Sequence, residues 1–302
     1  MAEPSNPAAA GKDPEGALAG GLYIVATPIG NLGDMTDRAR KVLAAADLIA
    51  CEDTRITARL LERFGIRGRL LAYHEHNAAR MRPRIMEALE RGAVVALVSD
   101  AGTPLISDPG YRLVGEARRR GFPVIPVPGA SSVMAALMVA GLPTDRFYFA
   151  GFPPVKERQR NAFLQEIAGV PGTLVLLESP RRVEACLRAI AATMPGREVV
   201  IARELTKMYE EVITGMPEDI LARFADEGTP RGEMVLMIAP PGKAEAADED
   251  VDILLAEALK QAPPGRAASE VARATGRRKA DIYRRAMALR AQEGIDGNEG
   301  QD

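Results

Sequence analysis

Three loops rich in glycine and proline carry the residue types best suited to cradling a ligand. They are Thr27-Pro28-Ile29-Gly30-Asn31-Leu32-Gly33-Asp34, the run Ser99-Asp100-Ala101-Gly102-Thr103-Pro104-Leu105-Ile106-Ser107-Asp108-Pro109-Gly110, and Pro128-Gly129-Ala130-Ser131-Ser132. Each follows a short apolar run, and so sits at the carboxyl end of an expected strand, the edge at which open α/β sheets bind ligands. Small residues there let a ligand approach the backbone, and the helix that follows each loop offers unpaired N–H groups. One such loop reads as a plain turn; three on one edge predict a site.

The residues narrow the ligand mainly by exclusion. The dinucleotide fingerprint G-x-G-x-x-G is absent: the first loop has only Gly30-x-x-Gly33, and Pro28 stands where the opening glycine belongs. Glu52 and Asp53 do imitate the ribose-binding acid of a dinucleotide enzyme. No phosphate-binding G-x-x-x-x-G-K-[ST] loop and no G-x-S-x-G elbow occurs. His74 and His76 are the only histidines, in Tyr73-His74-Glu75-His76-Asn77, and on a strand this spacing puts both rings on one face. They read as a metal pair, as a polar cluster lining a cleft, or as structural hydrogen-bonding groups. No third ligand is evident, and no metal is expected. Past later strands come Glu178-Ser179-Pro180-Arg181-Arg182, then Ala202-Arg203-Glu204-Leu205-Thr206-Lys207 with Tyr209-Glu210-Glu211. These read as surface ion pairs or as contacts to a phosphate-bearing substrate.

The elements that must position these residues follow from periodicity. Continuous apolar runs at 22–26, 48–51, 70–73, 94–99 and 123–127 predict strands, with helical patterns at 36–46, 54–64, 77–91, 111–120 and 131–140 between them. Such alternation predicts a largely parallel sheet buried on both faces, an α/β domain over 21–140. Gly141-Leu142-Pro143 and Gly151-Phe152-Pro153-Pro154 bracket the short run 146–150 and read as a crossing between domains. A second α/β set over 141–240 has strands at 173–178, 199–202 and 234–239 and helices at 181–192 and 217–225, with no clear period over 203–216. After Pro240-Pro241-Gly242, residues 243–257 hold one Lys against six acids, the expected linker falling at 241–250. Residues 263–290 hold seven Arg and one Lys against Glu270 and Asp281. Helices at 252–261, 267–274 and 279–290, with Thr275-Gly276 as a C-cap signal, make 251–292 a basic helical domain. Helix, tight turn and basic helix resemble a helix-turn-helix, with a solvated charged hairpin as the competing reading. Residues 1–20 and 293–302 read as disordered.

Composition sets the outer bounds. The chain has 302 residues, 47% of them hydrophobic and 26% charged, an ordinary globular balance with room for two domains. Lys plus Arg number 39 against 41 acids, so a globally basic nucleic-acid coat is excluded while a local basic face is not. A second basic stretch, 55–91, carries nine Arg against four Glu. Cys51 and Cys186 are too few for a disulfide framework or a structural zinc, which fits a reducing cytoplasm. The first twenty residues lack the apolar run of a signal peptide, and no stretch nears the ~18 apolar residues of a membrane span, so no membrane association is expected.

Taken in order, Ala26–Leu32, Cys51-Glu52-Asp53-Thr54-Arg55, the 99–110 run, Pro128-Gly129-Ala130, Gly151-Phe152-Pro153, Ala202–Lys207 and Gly232-Glu233-Met234-Val235-Leu236 resemble the small-subunit ribosomal RNA methyltransferase I family, within the tetrapyrrole-methylase-like superfamily. The likeness runs from about 21 to 239, and the helical tail resembles that family's C-terminal domain. It implies two α/β domains of class III methyltransferase type and a homodimer. It also implies an S-adenosylmethionine-dependent enzyme that methylates the ribose 2′-oxygen of a cytidine in the decoding centre of 16S rRNA, within the 30S subunit. Pro28, Asp100, Ala101, Gly102, Thr103, Ala130, Ser131, Ser132 and Leu177 would hold the cofactor. Glu52, Asp53, Arg55, His74, His76, Asn77, Arg203 and Glu204 would face the substrate. Lys207 and Glu178, followed by Glu52 and His76, are the candidates for accepting the hydroxyl proton or aligning the hydroxyl, the lysine as a base only if its pKa were depressed. A small-molecule methylase of the tetrapyrrole or diphthamide-precursor kind, and a DNA-binding cofactor-sensing regulator, are the competing readings. The porphyrin-pathway enzymes carry Gly-Asp-Pro where this chain has Ser99-Asp100-Ala101.

Overall fold

The protein is described from a computed structural model covering residues 18–107, 110–242, 248–275 and 277–296. Most of the expected leader, the pair Asp108-Pro109, the acidic residues 243–247, Gly276 and everything past 296 lie outside the described residues.

The first sheet is wholly parallel, as its unbroken apolar strands require. Strands β1 (Gly21–Val25), β2 (Leu48–Cys51), β3 (Leu70–Ala72), β4 (Val94–Val98) and β5 (Val124–Val127) lie in the order β3-β2-β4-β1-β5. Helices α1 (Asp37–Ala45), α2 (Thr54–Arg63), α3 (Ala78–Glu90), α4 (Tyr111–Arg119) and α5 (Ser132–Val139) follow the strands in turn. Alternate strand residues feed two cores: Tyr23, Val25, Ile49, Cys51, Ala96 and Val98 on the α1–α2 side, Leu22, Leu48, Ala50, Val95 and Leu97 on the α3–α4 side. Pro126, which cannot donate to a ladder, is tolerated because β5 is an edge strand.

The second sheet is mixed, with the order β6-β7-β10-β8-β9. Its members are β6 (Phe147–Gly151), β7 (Thr173–Glu178), β8 (Val199–Arg203), β9 (Glu211–Gly215) and β10 (Met234–Ile238). Only β6 and β7 run parallel; β10 is antiparallel to both β7 and β8, and β9 to β8. Three features depart from expectation. The run 146–150 is not a bare crossing but forms the edge strand β6. The stretch without clear period holds β9, whose inward residue is Ile213 alone between exposed neighbours. A helix at 157–167, α6 (Glu157–Ile167), was hidden by its polar surface and precedes α7 (Val183–Thr193) and α8 (Pro217–Glu227). Period-two alternation again separates two faces. Leu174, Leu176, Ile201, Leu236 and Ile238 meet α6–α8, whereas Val175, Val200, Val235 and Met237 meet α5 and Ile29. α5, apolar around its whole circumference, thus stitches the first sheet to the second.

Both sheets belong to one compact unit ending at Ala239; the second unit begins at Pro240. The latter consists of α9 (Asp248–Gln261), α10 (Pro264–Thr275) and α11 (Lys279–Asp296), packed around Val251, Leu255, Ala267, Ala268, Val271, Ile282 and Ala286. α9 starts inside the expected linker, and α11 runs four residues past the expected end of the helical domain at 292. Among the described residues no helix is long and apolar enough to cross a membrane.

Candidate active site

The three loops converge because backbone and side-chain bonds tie them together. Thr27 and Gly102 exchange N–H···O bonds of 2.9 and 3.0 Å, joining the first loop to the second. Ser99 Oγ donates to the Gly102 carbonyl (3.2 Å), and Thr103 Oγ1 donates to the Ala130 carbonyl (3.0 Å), joining the second loop to the third. Asp100 Oδ1 accepts from the Asp53 N–H (3.0 Å), drawing in the end of β2. Gly102 sits at φ +81°, a conformation that favours glycine, and a Cβ there would stand 3.2 Å from Ile29 Cγ2. Ser131 caps α5 by accepting from the Met134 N–H.

The second sheet presses its own loops against this edge. Asn31 N–H donates to Thr206 Oγ1 (3.2 Å), and the Lys207 stem lies where a Cβ on Gly30 would be. Glu204 and Thr206 are non-glycine residues at φ +47° and +67°, and Leu105 and Ser107 in the second loop are at +77° and +63°. Backbone strain of this kind, about 1–3 kcal/mol per residue, persists where the surroundings over-determine a conformation, and it clusters at ligand sites.

Between the loops lies a cavity of about 320 Å³. Ile29, Ala101, Ile106, Phe152, Leu177, Ala202, Leu205, Met234 and Val235 supply apolar surface; Ser107 and Ser132 supply hydroxyls; Glu52, Asp100, Glu178 and Glu233 supply carboxylates. No basic side chain lines it among the described residues. A half-apolar cavity ringed by four acids repels phosphates and suits a cation that carries a flat apolar group. S-adenosylmethionine, with its sulfonium, ammonium and adenine, has that chemistry, and so the residues present fit it.

Of the residues expected to hold a cofactor, Asp100, Ala101, Ser132 and Leu177 line this cavity. Gly102, Thr103, Ala130 and Ser131 instead build its frame through the bonds above, and Pro28 lies between bridged Thr27 and cavity-lining Ile29. Of the expected substrate residues only Glu52 lines the cavity. Asp53 caps α2, and its carboxyl, held by the Arg55 guanidinium and N–H, titrates well below the usual range. Arg55 itself is exposed. Arg203 donates to Glu211 (2.9 Å) and to the Arg231 carbonyl, and Glu204 accepts from Lys207 Nζ (3.0 Å) and the Glu233 N–H (3.1 Å). The histidine pair needs correction: residues 74–77 form a turn beyond β3 and not part of a strand. The ring centroids are 6.1 Å apart, and Asn77 closes the turn by accepting from the His74 N–H and donating to the Ala72 carbonyl. None of the three reaches the cavity. Among the described residues no cluster of three or more His, Cys, Asp or Glu could hold a metal.

The two leading acid–base candidates separate. Burial works against the Lys207 charge, but hydrogen bonds to Glu204 and Glu233 outweigh it and raise the ammonium above its ordinary value. The depressed pKa that a lysine base requires is absent. Glu178 is buried at the cavity wall, and burial raises its carboxyl despite the Ser179 N–H (2.8 Å) and the Arg182 guanidinium 3.1 Å away. Its Oε2 is the oxygen that faces Arg182 Nη2 at 3.1 Å, and among the described residues it is the one buried carboxylate oxygen that accepts no hydrogen bond.

The sequence matches the model for tetrapyrrole (corrin/porphyrin) methylases over residues 21–221, and that for the RsmI C-terminal HTH domain over 245–290. A ribosomal RNA small subunit methyltransferase I from Mesorhizobium japonicum is 51% identical over 277 residues, spanning 90% of this chain and 93% of its own. The chain belongs to the ribosomal RNA small subunit methyltransferase I family. Another family member, from Escherichia coli O157:H7, is 46% identical over 89% of this chain and 95% of its own length. Two solved structures share the fold of the two-sheet unit: diphthine synthase (TM-score 0.56, 19% identity, 72% of this chain and 89% of that one), and the cobalamin biosynthetic enzyme cobalt precorrin-4 methyltransferase (TM-score 0.54, 19% identity, 72% and 93%). In this family member the cavity residues missed from sequence are mainly apolar: Ile29, Ile106, Phe152, Leu205, Met234 and Val235. Glu233 opens the Gly232–Leu236 segment that carried the resemblance, and that was the available signal for it.

Proposed function

We propose that this S-adenosylmethionine-dependent methyltransferase of small-subunit rRNA modifies the ribose 2′-oxygen of a cytidine in the decoding centre of 16S rRNA. The observation that carries the reading is the acidic, half-apolar cavity in a chain about half identical to named rRNA methyltransferases over nine-tenths of its length. When bound, the cofactor supplies an electrophilic sulfonium methyl, for which no metal is required. Asp100, Ala101, Ser132 and Leu177 would hold it, with Glu52 and Glu233 adding negative charge around it.

The ribose hydroxyl is a poor nucleophile, and so the protein must align it and take its proton. Alignment is worth roughly 7–11 kcal/mol in favourable systems, whereas a positioned base adds about 10²–10⁴-fold. Phe152 and Leu205 supply apolar walls of the cavity. Glu178 Oε2 is the proposed proton acceptor: its raised pKa makes it a stronger base than a solvated carboxylate. Lys207 stays charged and holds the Glu204 and Glu233 carboxylates in place. The substrate is expected to be the assembled 30S subunit in the cytoplasm. α5 exposes Met134, Met138 and Val139, an apolar surface that supports a homodimer.

Incubation with labelled S-adenosylmethionine and 30S subunits lacking the modification, followed by digestion to nucleosides, tests this. Label in 2′-O-methylcytidine is expected; cofactor binding with no label in RNA would overturn it.

A further inference from the structure

The cavity's own charge poses a problem for its proposed substrate. Four carboxylates line it, and a ribose brought among them carries a phosphate on either side. Those phosphates must be held outside the mouth, on basic ground that is not already neutralised. On the second-sheet side Lys207 is engaged by Glu204 and Glu233, Arg203 by Glu211 and Arg182 by Glu178, which leaves only single exposed arginines, Arg181 and Arg231, rather than a row. On the first-sheet side the mouth opens onto the start of α2. Glu52 lines the cavity, Asp53 caps the helix and is fastened to cavity-lining Asp100, and Arg55 is the second helical residue.

α2 buries Thr57 and Leu61 and turns Arg55, Arg59 and Arg63 outward at i, i+4 and i+8. This spacing places three guanidinium groups in one row, roughly 6 Å apart along the axis. Arg55 pairs with Asp53 yet leaves 87% of its side chain exposed, and among the described residues the Arg59 and Arg63 side chains make no ion pair or hydrogen bond. Glu62, the helix's one acid, is paired with neither. Beyond the C-terminus of α2, Arg67 and Arg69 continue the exposed basic surface.

We propose that the Arg55–Arg59–Arg63 row is the track on which the phosphate backbone of the substrate RNA strand docks, leading the target nucleotide to the cavity mouth. Guanidinium groups in a row bind successive phosphates without reading sequence, so the track supplies affinity and register while the cavity selects the reacting group. The inference rests on the rRNA-methyltransferase reading. It assigns substrate docking to the first sheet's flank, independently of the helix-turn-helix unit.

The test uses the full chain and 30S subunits lacking the modification. Binding is measured for wild type, R59Q/R63Q and a control, R118Q/R119Q, at the exposed last turn of α4, across a range of salt concentrations. Losing two phosphate contacts should weaken binding about tenfold or more at low salt and reduce the slope of log K against log salt by about 1.5–2. S-adenosylmethionine affinity and melting temperature should stay at wild-type values, and the control should keep the wild-type slope. An unchanged slope in R59Q/R63Q, or an equal fall in the control, overturns the track. Wild type that binds 30S but transfers no methyl to its RNA overturns the functional reading instead, and the slopes still decide the track.

Discussion

Replacing Gly102 with alanine separates backbone strain from damage to the cavity. At φ +81° an L-residue costs about 1–2 kcal/mol, and the stiffer unfolded chain returns roughly 0.4–1 kcal/mol. The new Cβ would also sit 3.2 Å from Ile29 Cγ2 and 3.8 Å from the Ala130 carbonyl oxygen, so that Ile29, a wall of the cavity, must give way. Gly92 is the matched control, with φ +77° and nothing within 4 Å of its added Cβ. G92A should therefore lose about 1 kcal/mol, a fall of about 1.5–2 °C in melting temperature for a protein of this size, and G102A at least as much. Only G102A should also bind S-adenosylmethionine more weakly, by about five- to tenfold, as roughly 1 kcal/mol of misfit at the wall implies. Calorimetric titration alongside thermal melts measures both. Equal cofactor affinities in the two variants would refute the claim that the Gly102 turn shapes the ligand site.

Three further outcomes are expected. E178Q should lower kcat about 10²–10⁴-fold and abolish the acid limb of the pH–rate profile, which in wild type falls as Glu178 is protonated through its raised pKa. Because burial makes the folded pKa higher than the unfolded one, wild type should also lose stability relative to E178Q as pH rises through that interval, measurable by melts at several pH values. K207R should keep most of the methyl transfer in a steady-state assay, since it preserves a cation between Glu204 and Glu233. Loss as deep as that of K207M would restore Lys207 as a base. Burial pushes the Cys186 thiol up to about 12 and raises Cys51 as well, so Ellman's reagent should find no reactive thiol in the native protein and two in denaturant.

The first sheet was legible because its strands are buried on both faces and read as unbroken apolar runs; Leu48–Cys51 and Val94–Val98 need no context to be recognised. The second was less so. β9 offers only Ile213 to a core, and α6 turns a mostly polar surface outward, so neither leaves a strong periodic signal. Within the site, polar and glycine-rich loops announced themselves, as Asp100 and Ser132 show. Its greasy half did not, because Leu205 or Val235 at a cavity wall looks like any core residue until the fold opens a void beside it. His74 and His76 drew notice by type, but the hydrogen bonds of Asn77 hold them in a turn beyond β3, and neither lines the cavity.

The central claim is that this acidic cavity directs methyl transfer to a ribose oxygen. Mass spectrometry of nucleosides from 16S rRNA tests it most directly, comparing cells that lack this gene with the same cells carrying wild type or E178Q. Methylation of one cytidine on its ribose should disappear with the gene, return with wild type and stay absent with E178Q. A methyl group found on the base, or a ribose methylation indifferent to the gene, would contradict the account.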